Sequence, residues 1–374
     1  MDPAVLTNPA FWDDPAPVAA GEFPGAIPAC PELRGHVLFA TSGTSDTPQW
    51  LALAKSALLA SAAAVNRHLE VTAASCWGLV LPSRHVGGFG VAARAFAAGC
   101  GLRDFGRRWN ACAFAQWLTE NPVTHTSLVP AQVHDLVAAG LRAPAALRAV
   151  VVGGGRMDEA GGRAARTLGW PVLASYGMTE AASQIATQGL DALTTLYHPA
   201  PIPLLPIWQA ESALDLTLRI AGPALFSGWL VRENAAWVFK PRTSPWYQTQ
   251  DRVALENRCL TPLGRVDMRV KVLGELVDLE AIERELAVLA DGGFPPGLFA
   301  VVAVPDARAE HALMPVFDGS VDATLIAAVL TRYAARAPGL RSLRPPVVLA
   351  RFPRGPLDKP LRAEIVAALG ASAT

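Results

Sequence analysis

The stretch RAVVVGGGRMDEAGGRAARTLGWPVLASYGMTE, residues 148–180, decides the fold. Its first apolar run, RAVVV (148–152), has the length and β-branched content of a buried strand. Residues 157–168 follow as a helix, and PVLAS (171–175) as a second strand. A strand, a helix and a strand in that order make a parallel crossover. Tyr176-Gly177-Met178-Thr179-Glu180 then sits directly after a strand end, the edge at which α/β sheets bind ligands.

The same rhythm extends upstream. HVLFA (36–40), WGLVL (77–81) and THTSLVP (124–130) are predicted strands; Lys55 to Leu69, 87–98, 111–119 and 131–139 are predicted helices. The alternation predicts a mostly parallel sheet covered on both faces. After about residue 210 short β runs take over, at 214–222, 235–240, 251–256 and 259–267, which predicts a small antiparallel sheet or barrel. Near Asp267 a second domain begins. A helix over 278–290 lines up Leu279, Ile282, Leu286 and Leu289 behind Asp278 as N-cap. Strands at 298–305 and 345–353 flank a helix at 321–335. The expected fold class is therefore α/β. A large N-terminal domain over 1–266 has mainly parallel sheets, flanking helices and a small β subdomain, and begins with an irregular arm over 1–34. A small α+β C-terminal domain over 267–374 follows on a hinge.

Composition narrows the function. Lys plus Arg and Asp plus Glu are 32 each, so no global basic field exists to grip nucleic acid. Apolar residues make up 51% and charged residues 17% of the 374, which suits a well-buried core. The five cysteines show no C-x-x-C spacing, so neither a disulfide framework nor a zinc knuckle is expected, and a reducing cytoplasm is the simplest home. The start, MDPAVLTNPAFWDDP, lacks the features of a signal peptide, and the uncharged stretch 192–210 is too rich in proline for a membrane helix.

Four stretches can carry chemistry. The turn Thr41-Ser42-Gly43-Thr44-Ser45 follows a buried strand. Its hydroxyls and backbone N–H groups could converge on a polyphosphate, or form an ordinary turn. It is neither a Walker loop nor a dinucleotide fingerprint. Glu180 could hold Mg²⁺ beside a phosphate, or simply favour a helix N-terminus. Gly264-Arg265-Val266-Asp267, with Lys271 and Gly274, could hinge two domains or be a solvated turn. Lys359, framed by prolines and Gly355, could reach a site as a point charge or remain a surface lysine. His85 follows a further strand end, and no G-x-S-x-G elbow supports a serine hydrolase.

Taken in order, the hydroxyl-rich turn, Y-G-M-T-E, Gln250-Asp251, the G-R-x-D-x-x-x-K junction and the late lysine resemble the acyl-adenylate-forming (AMP-binding) enzymes. Residues 216–230, LTLRIAGPALFSGWL, resemble that family's G-P-x-x-F-x-G-Y segment, and the likeness runs from about residue 36 onward. Within the family, LPSRHVGGFG (81–90), THTSLVPAQ (124–132) and YGMTEAASQI (176–185) look like its CoA ligases that act on 2-succinylbenzoate in menaquinone synthesis. The resemblance implies ATP, Mg²⁺ and CoA, a small carboxylic acid as partner, no nucleic acid, no membrane span, and room for a homodimer.

It also implies roles. Thr41, Ser42, Gly43 and Thr44 would cradle the β- and γ-phosphates, and Gly153, Gly154 and Gly155 would wall the adenine and acyl pocket. Tyr176, with Gly177 beside it, would pack on adenine; Thr179 would contact the α-phosphate and Glu180 would hold Mg²⁺. Asp251 would bind the ribose, Arg265 the ribose–phosphate region, and Asp267 would be the hinge. Lys359 would bridge the carboxylate and α-phosphate, His85 would lie near the acyl pocket, and Gly274 would line the pantetheine tunnel. A second carboxylate on the acid calls for a cation, with Arg84 and Arg94 as candidates. Three departures stand out: Asp46 replaces a glycine and Gln49 a lysine in the phosphate turn, and Asp358 replaces the glycine before the lysine. Another aryl- or fatty-acyl-CoA ligase, or a non-catalytic nucleotide-binding homologue, remains open on these residues.

Overall fold

The computed structural model describes residues 1–41, 49–234, 236–273, 275–306, 309–336, 339–355 and 357–371. The chain divides into two compact units. The first is Met1–Glu211, Arg219–Thr249 and Leu255–Thr261; the second is Ser212–Leu218, Gln250–Ala254 and Pro262–Thr374.

The arm is not irregular throughout. It holds two short helices, α1 (Pro3–Leu6) and α2 (Pro9–Asp13), and a two-residue strand β1 (Val18–Ala19). Asp2 and Asn8 cap them through their side chains, and a proline opens each. An Asx residue followed by proline is a helix-start signal that periodicity over four or five residues is too short to show.

Next come β2 (His36–Thr41) and β3 (Gln49–Ala54), paired antiparallel from His36–Ala54 to Thr41–Gln49. Then helices and strands alternate as predicted: α3 (Lys55–His68), β4 (Cys76–Leu79), α4 (Val86–Ala98), β5 (Gly101–Asp104), α5 (Ala111–Glu120), β6 (His125–Leu128), α6 (Pro130–Ala138), β7 (Ala149–Val152), α7 (Glu159–Thr167), β8 (Val172–Tyr176) and β9 (Ala186–Thr187). They build one sheet in the order β5-β4-β6-β7-β8-β9. Its strands run parallel except β9, which turns back on β8. β4, β6 and β7 are buried along their length, as a sheet covered on both faces requires. Trp77, Phe89, Phe114 and Trp170 are among the largest fully buried side chains of this region.

β10 (Ile202–Pro203), β11 (Gln209–Ser212) and β12 (Thr217–Ala221) follow, then the hairpin β13 (Gly228–Glu233) and β14 (Ala236–Pro241). The hairpin extends β2 and β3 into a sheet of order β1-β2-β3-β13-β14, in which only β1 and β2 run parallel. The parallel arrangement thus belongs to the six-stranded sheet. The second sheet is antiparallel because β2 and β3 are joined by a short connection, with no room for a crossover. β15 (Tyr247–Glu256) and β16 (Cys259–Arg265) take part in a third sheet, β10-β16-β15-β12-β11.

In the second unit, β17 (Arg269–Val272) and β18 (Glu275–Asp278) form a hairpin. α8 (Leu279–Ala290) starts on the predicted cap: Asp278 accepts from the Ala281 N–H. β19 (Phe299–Asp306) and β20 (Glu310–Asp318) pair antiparallel, α9 (Ala323–Ala334) packs beside α8, and β21 (Val347–Leu349) pairs parallel to β20. α10 (Arg362–Ala371) ends the described chain. Ile282, Leu286 and Leu289 of α8 meet Val301, Phe317, Val329 and Tyr333 in the unit's core.

Candidate functional site

The first unit gathers its candidate residues at the carboxyl edge of the six-stranded sheet. Gly153 follows β7, and its N–H donates to the Leu128 carbonyl at the end of β6 (3.2 Å). A Cβ on Gly153 would come within 2.9 Å of the Ser175 hydroxyl, which itself donates to the Val152 carbonyl at 2.9 Å. Gly154 adopts φ +75°, and Gly155 packs against Pro130. Three strand ends are thereby drawn together with exposed backbone between them.

The second segment of this edge leaves β8 through Tyr176 and Gly177 and enters a 3₁₀ turn over Thr179–Ala181. The chain then doubles back: Ser183 N–H donates to the Met178 carbonyl (3.2 Å) and Ile185 N–H to the Tyr176 carbonyl (2.9 Å). The fold-back is so tight that a Cβ on Gly177 would lie 1.6 Å from the Ser183 carbonyl oxygen. Ala182 (φ 49°) and Ser183 (φ 100°) take left-handed backbone, a strain that persists only where surrounding contacts impose it. The Phe226 N–H donates to the Glu180 carbonyl (2.8 Å), so the G-P-x-x-F segment holds the turn from outside. Tyr176, Thr179 and Glu180 are half-buried.

His85 lies at the mouth of the next strand end, as the residue before α4. Its Nε2 is buried without a partner among the described residues. Burial first, and Arg84 second, lower its pKa, so the ring is neutral at pH 7. Gly88 is obligatory, since a Cβ there would meet the Leu81 and Pro82 carbonyl oxygens at 2.4 Å.

Sequence reasoning left Arg84 and Arg94 open as the carboxylate-reading cation. Arg84 is exposed. Arg94 is 2% exposed and has no carboxylate partner among the described residues. Its Nη1 donates to the Ser127 hydroxyl (3.2 Å) and its Nη2 to that of Ser183 (3.3 Å), while Nε has no acceptor. The guanidinium lies 5.2 Å from the Trp77 ring, and burial lowers its pKa to about 10. Gln184 Oε1, one residue from Ser183, is also buried and unpartnered among the described residues. A buried cation held by two neutral hydroxyls keeps a charge that an anion would offset.

Thr41 closes β2, its hydroxyl donating to the Gln49 carbonyl (3.2 Å). Ser42, Gly43, Thr44 and Asp46 lie outside the described residues, as does Gly274. Asp267 falls in a one-turn 3₁₀ helix, Val266–Met268, and only its backbone is described.

The second unit holds its own cluster. Arg265 Nη1 meets Asp251 Oδ1 at 3.1 Å. The Arg265 N–H donates to Glu280 Oε2 (3.1 Å), on the first turn of α8. Lys359 is coupled electrostatically to all three: burial, first, and Arg265 lower its pKa, Asp251 and Glu280 raise it, and the net shift is downward even though the residue still meets solvent. The lysine loop is a tight hairpin. Gly355 N–H donates to the Lys359 carbonyl (2.8 Å), Asp358 takes φ 55°, and Arg354 lies 3.8 Å from the Asp358 carboxylate. Its downstream end is fixed by Arg362, which bonds both Glu283 oxygens at 2.7 and 2.8 Å. Glu280 was missed by the sequence reading. The only signal available was an acid in the turn after a cap.

No helix among the described residues is long and apolar enough to cross a membrane. Residues 28–206 match the model of the AMP-binding enzyme family. The 2-succinylbenzoate–CoA ligase of Escherichia coli (strain K12) is 30% identical over 276 residues, which cover 74% of this chain and 56% of that protein. The 2-succinylbenzoate–CoA ligase of Enterococcus faecalis is 25% identical over 290 residues, covering 74% and 57% respectively. The o-succinylbenzoate CoA synthetase of Bacillus subtilis, solved with its acyl-adenylate intermediate, shares the fold, with a TM-score of 0.72 at 22% identity over 88% of this chain and 68% of that one. The matched region thus spans little more than half the length of the two curated relatives.

Proposed function

We propose, from the premise that this chain belongs to the AMP-binding enzyme family, that it is an AMP-forming acid–thiol ligase. It would activate a carboxylate as its adenylate, release pyrophosphate and pass the acyl group to CoA. The acid we favour is 2-succinylbenzoate, which puts the chain in menaquinone synthesis, in the cytoplasm, with a homodimer as the assembly to test.

One observation supports the substrate choice: Arg94 is buried with two hydroxyls and, among the described residues, no acid. A monocarboxylic acid spends its one charge on the phosphate. A diacid has a second carboxylate for this guanidinium, and Ser127 and Ser183, whose hydroxyl oxygens accept from the arginine, still have O–H protons to donate to the carboxylate oxygens.

The other roles follow the motifs. Thr41 to Thr44 would cradle phosphates, and Gly153 to Gly155 with Tyr176 would receive adenine on exposed backbone. Thr179 would contact the α-phosphate, and Asp251 and Arg265 the ribose side. Among the described residues no three potential metal ligands cluster, so Mg²⁺ would rest on Glu180 and substrate phosphate oxygens, a donor set that ion accepts. When bound it offsets phosphate charge. Attack of one anion on another still needs a cation on the reacting oxygens, and Lys359 would supply it. Asp267 would hinge the C-terminal domain, Gly274 would line the pantetheine tunnel, and His85 would lie near the acyl pocket.

The test is mass spectrometry of a reaction with ATP, Mg²⁺, CoA and 2-succinylbenzoate, beside a panel of aryl and fatty acids. The expected product is 2-succinylbenzoyl-CoA, absent without ATP and absent in Lys359→Ala. A thioester with only another acid refutes the substrate. No adenylate with any acid refutes the activity and favours a nucleotide-binding homologue.

A further inference from the structure

α4 shows different faces to two neighbours. At about 100° per residue, positions 89 and 96 fall on one stripe and positions 90 and 94 on another. The second stripe is the one beside the Arg94 site: a Cβ on Gly90 would lie 3.3 Å from Arg94 Nη2 and 3.5 Å from Ser183. The first stripe carries the N-terminal arm. Trp12 stacks on Phe96 with ring centres 5.2 Å apart and 19° between planes, and meets Phe89 edge-on at 6.0 Å. Phe11 reaches Phe89 at 6.2 Å, and Phe89, fully buried, continues to Phe39 of β2 at 5.2 Å.

The arm is itself anchored away from α4. Lys55, at the start of α3, donates from Nζ to the carbonyls of Phe11 (2.5 Å) and Asp14 (2.7 Å) and lies 4.4 Å from the centre of the Phe11 ring. Trp12 Nε1 donates to the Leu6 carbonyl (2.8 Å), and Gly35 N–H to that of Pro15 (2.7 Å).

α4 needs such support for a reason built into the Arg94 site. Its first turns contain Gly87, Gly88 and Gly90, and glycine is a poor helix former. Gly88 cannot be replaced against the Leu81 and Pro82 carbonyls, and Gly90 leaves space for the guanidinium. His85, at the cap position, makes no side-chain cap. The helix that must hold a buried cation in place is therefore soft where local sequence decides.

We propose that Trp12 and Phe11 are positioning residues of the acid pocket: the arm clamps the glycine-rich helix α4 from behind and so fixes Arg94 against Ser127 and Ser183. The inference rests on the reading of Arg94 as the residue that binds a substrate carboxylate.

The experiment compares Trp12→Ala, Trp12→Phe and the parent chain by steady-state kinetics and by hydrogen exchange of the α4 amides. In Trp12→Ala the KM for the diacid should rise about tenfold, a size usual for indirect positioning, with KM for ATP within about twofold. The amides of 86–98 should lose protection while those of β6, β7 and β8 keep theirs. Trp12→Phe should restore most of both. A merely structural role would lower the active fraction, so that kcat falls and neither KM moves. An unchanged diacid KM together with unchanged α4 exchange overturns the proposal. If Trp12→Ala does not fold, Lys55→Met loosens the same arm from its other side and is judged by the same two readouts. Selective loosening of α4 in a protein that turns over no diacid would leave the coupling intact and sink the reading of Arg94 instead.

Discussion

Replacing Arg94 by methionine separates stability from function. The guanidinium is 2% exposed and its pKa falls to about 10, more than two orders of magnitude in proton affinity. That depression corresponds to roughly 3 kcal/mol of unfavourable burial. Against it stand two long hydrogen bonds to neutral hydroxyls, each returning ~0.5–1.5 kcal/mol, and the Trp77 contact, worth ~1 kcal/mol or slightly more. Methionine fills most of the aliphatic volume without a charge. Arg94→Met should therefore be neutral or up to about 2 kcal/mol more stable than the parent, as when a buried ionic group is exchanged for an apolar one. The gain should not vary with pH near neutrality. The guanidinium stays charged in both folded and unfolded chains until pH climbs past its lowered folded value, and the burden fades only above that. Diacid binding should suffer in the opposite sense: losing one partner of a buried charge pair costs about 3 kcal/mol, over a hundredfold in KM. Urea denaturation gives the first quantity; pyrophosphate release against 2-succinylbenzoate and a benzoate lacking the second carboxylate gives the other. A variant destabilised by about 2 kcal/mol or more with its diacid KM unchanged would refute the reasoning and make Arg94 a structural residue.

Three further outcomes are expected. Gly177→Ala puts a methyl 1.6 Å from a backbone oxygen, so the fold-back must open; a loss of about 3 kcal/mol or more in denaturant titration, with adenylate formation gone, is the expected result. Glu280→Gln keeps an acceptor for the Arg265 N–H but removes a charge that raises the pKa of Lys359. The alkaline limb of the adenylation pH profile should move to lower pH, and an unmoved limb would show that Glu280 does not act on Lys359. Asp358→Gly relieves a left-handed residue (φ 55°) and forfeits only a partly exposed 3.8 Å pairing with Arg354. The thermal midpoint should rise by an amount equivalent to ~0.5–1 kcal/mol, and a fall would mean the ion pair outweighs the strain.

The parts of the fold legible in sequence are those where period and length agree. Residues 148–176 gave a strand, a helix and a strand within two residues of their observed ends, because β-branched runs and helical spacing do not overlap there. β3 escaped notice because Gln49–Ala54 runs straight into α3 without a turn residue, and a uniformly apolar stretch does not separate strand from helix. The site was legible as residue types and not as geometry. That Arg94 is the buried cation depends on Ser127 and Ser183, which lie 33 and 89 positions away. The necessity of Gly177 depends on a carbonyl six residues on, and Glu280 meets Arg265 only because α8 starts against the end of β16.

The arm also sets a timetable for biosynthesis. Trp12, next to Phe11, stacks on Phe96, which is made 84 residues after it. At roughly 5–20 residues per second, Trp12 stays without that partner for about 4–17 s on the ribosome. Two large rings and an unfinished helix are then exposed together. Arg94 waits longer still for Ser183, made 89 residues after it, so the arm can meet α4 before the guanidinium has both of its hydroxyl partners.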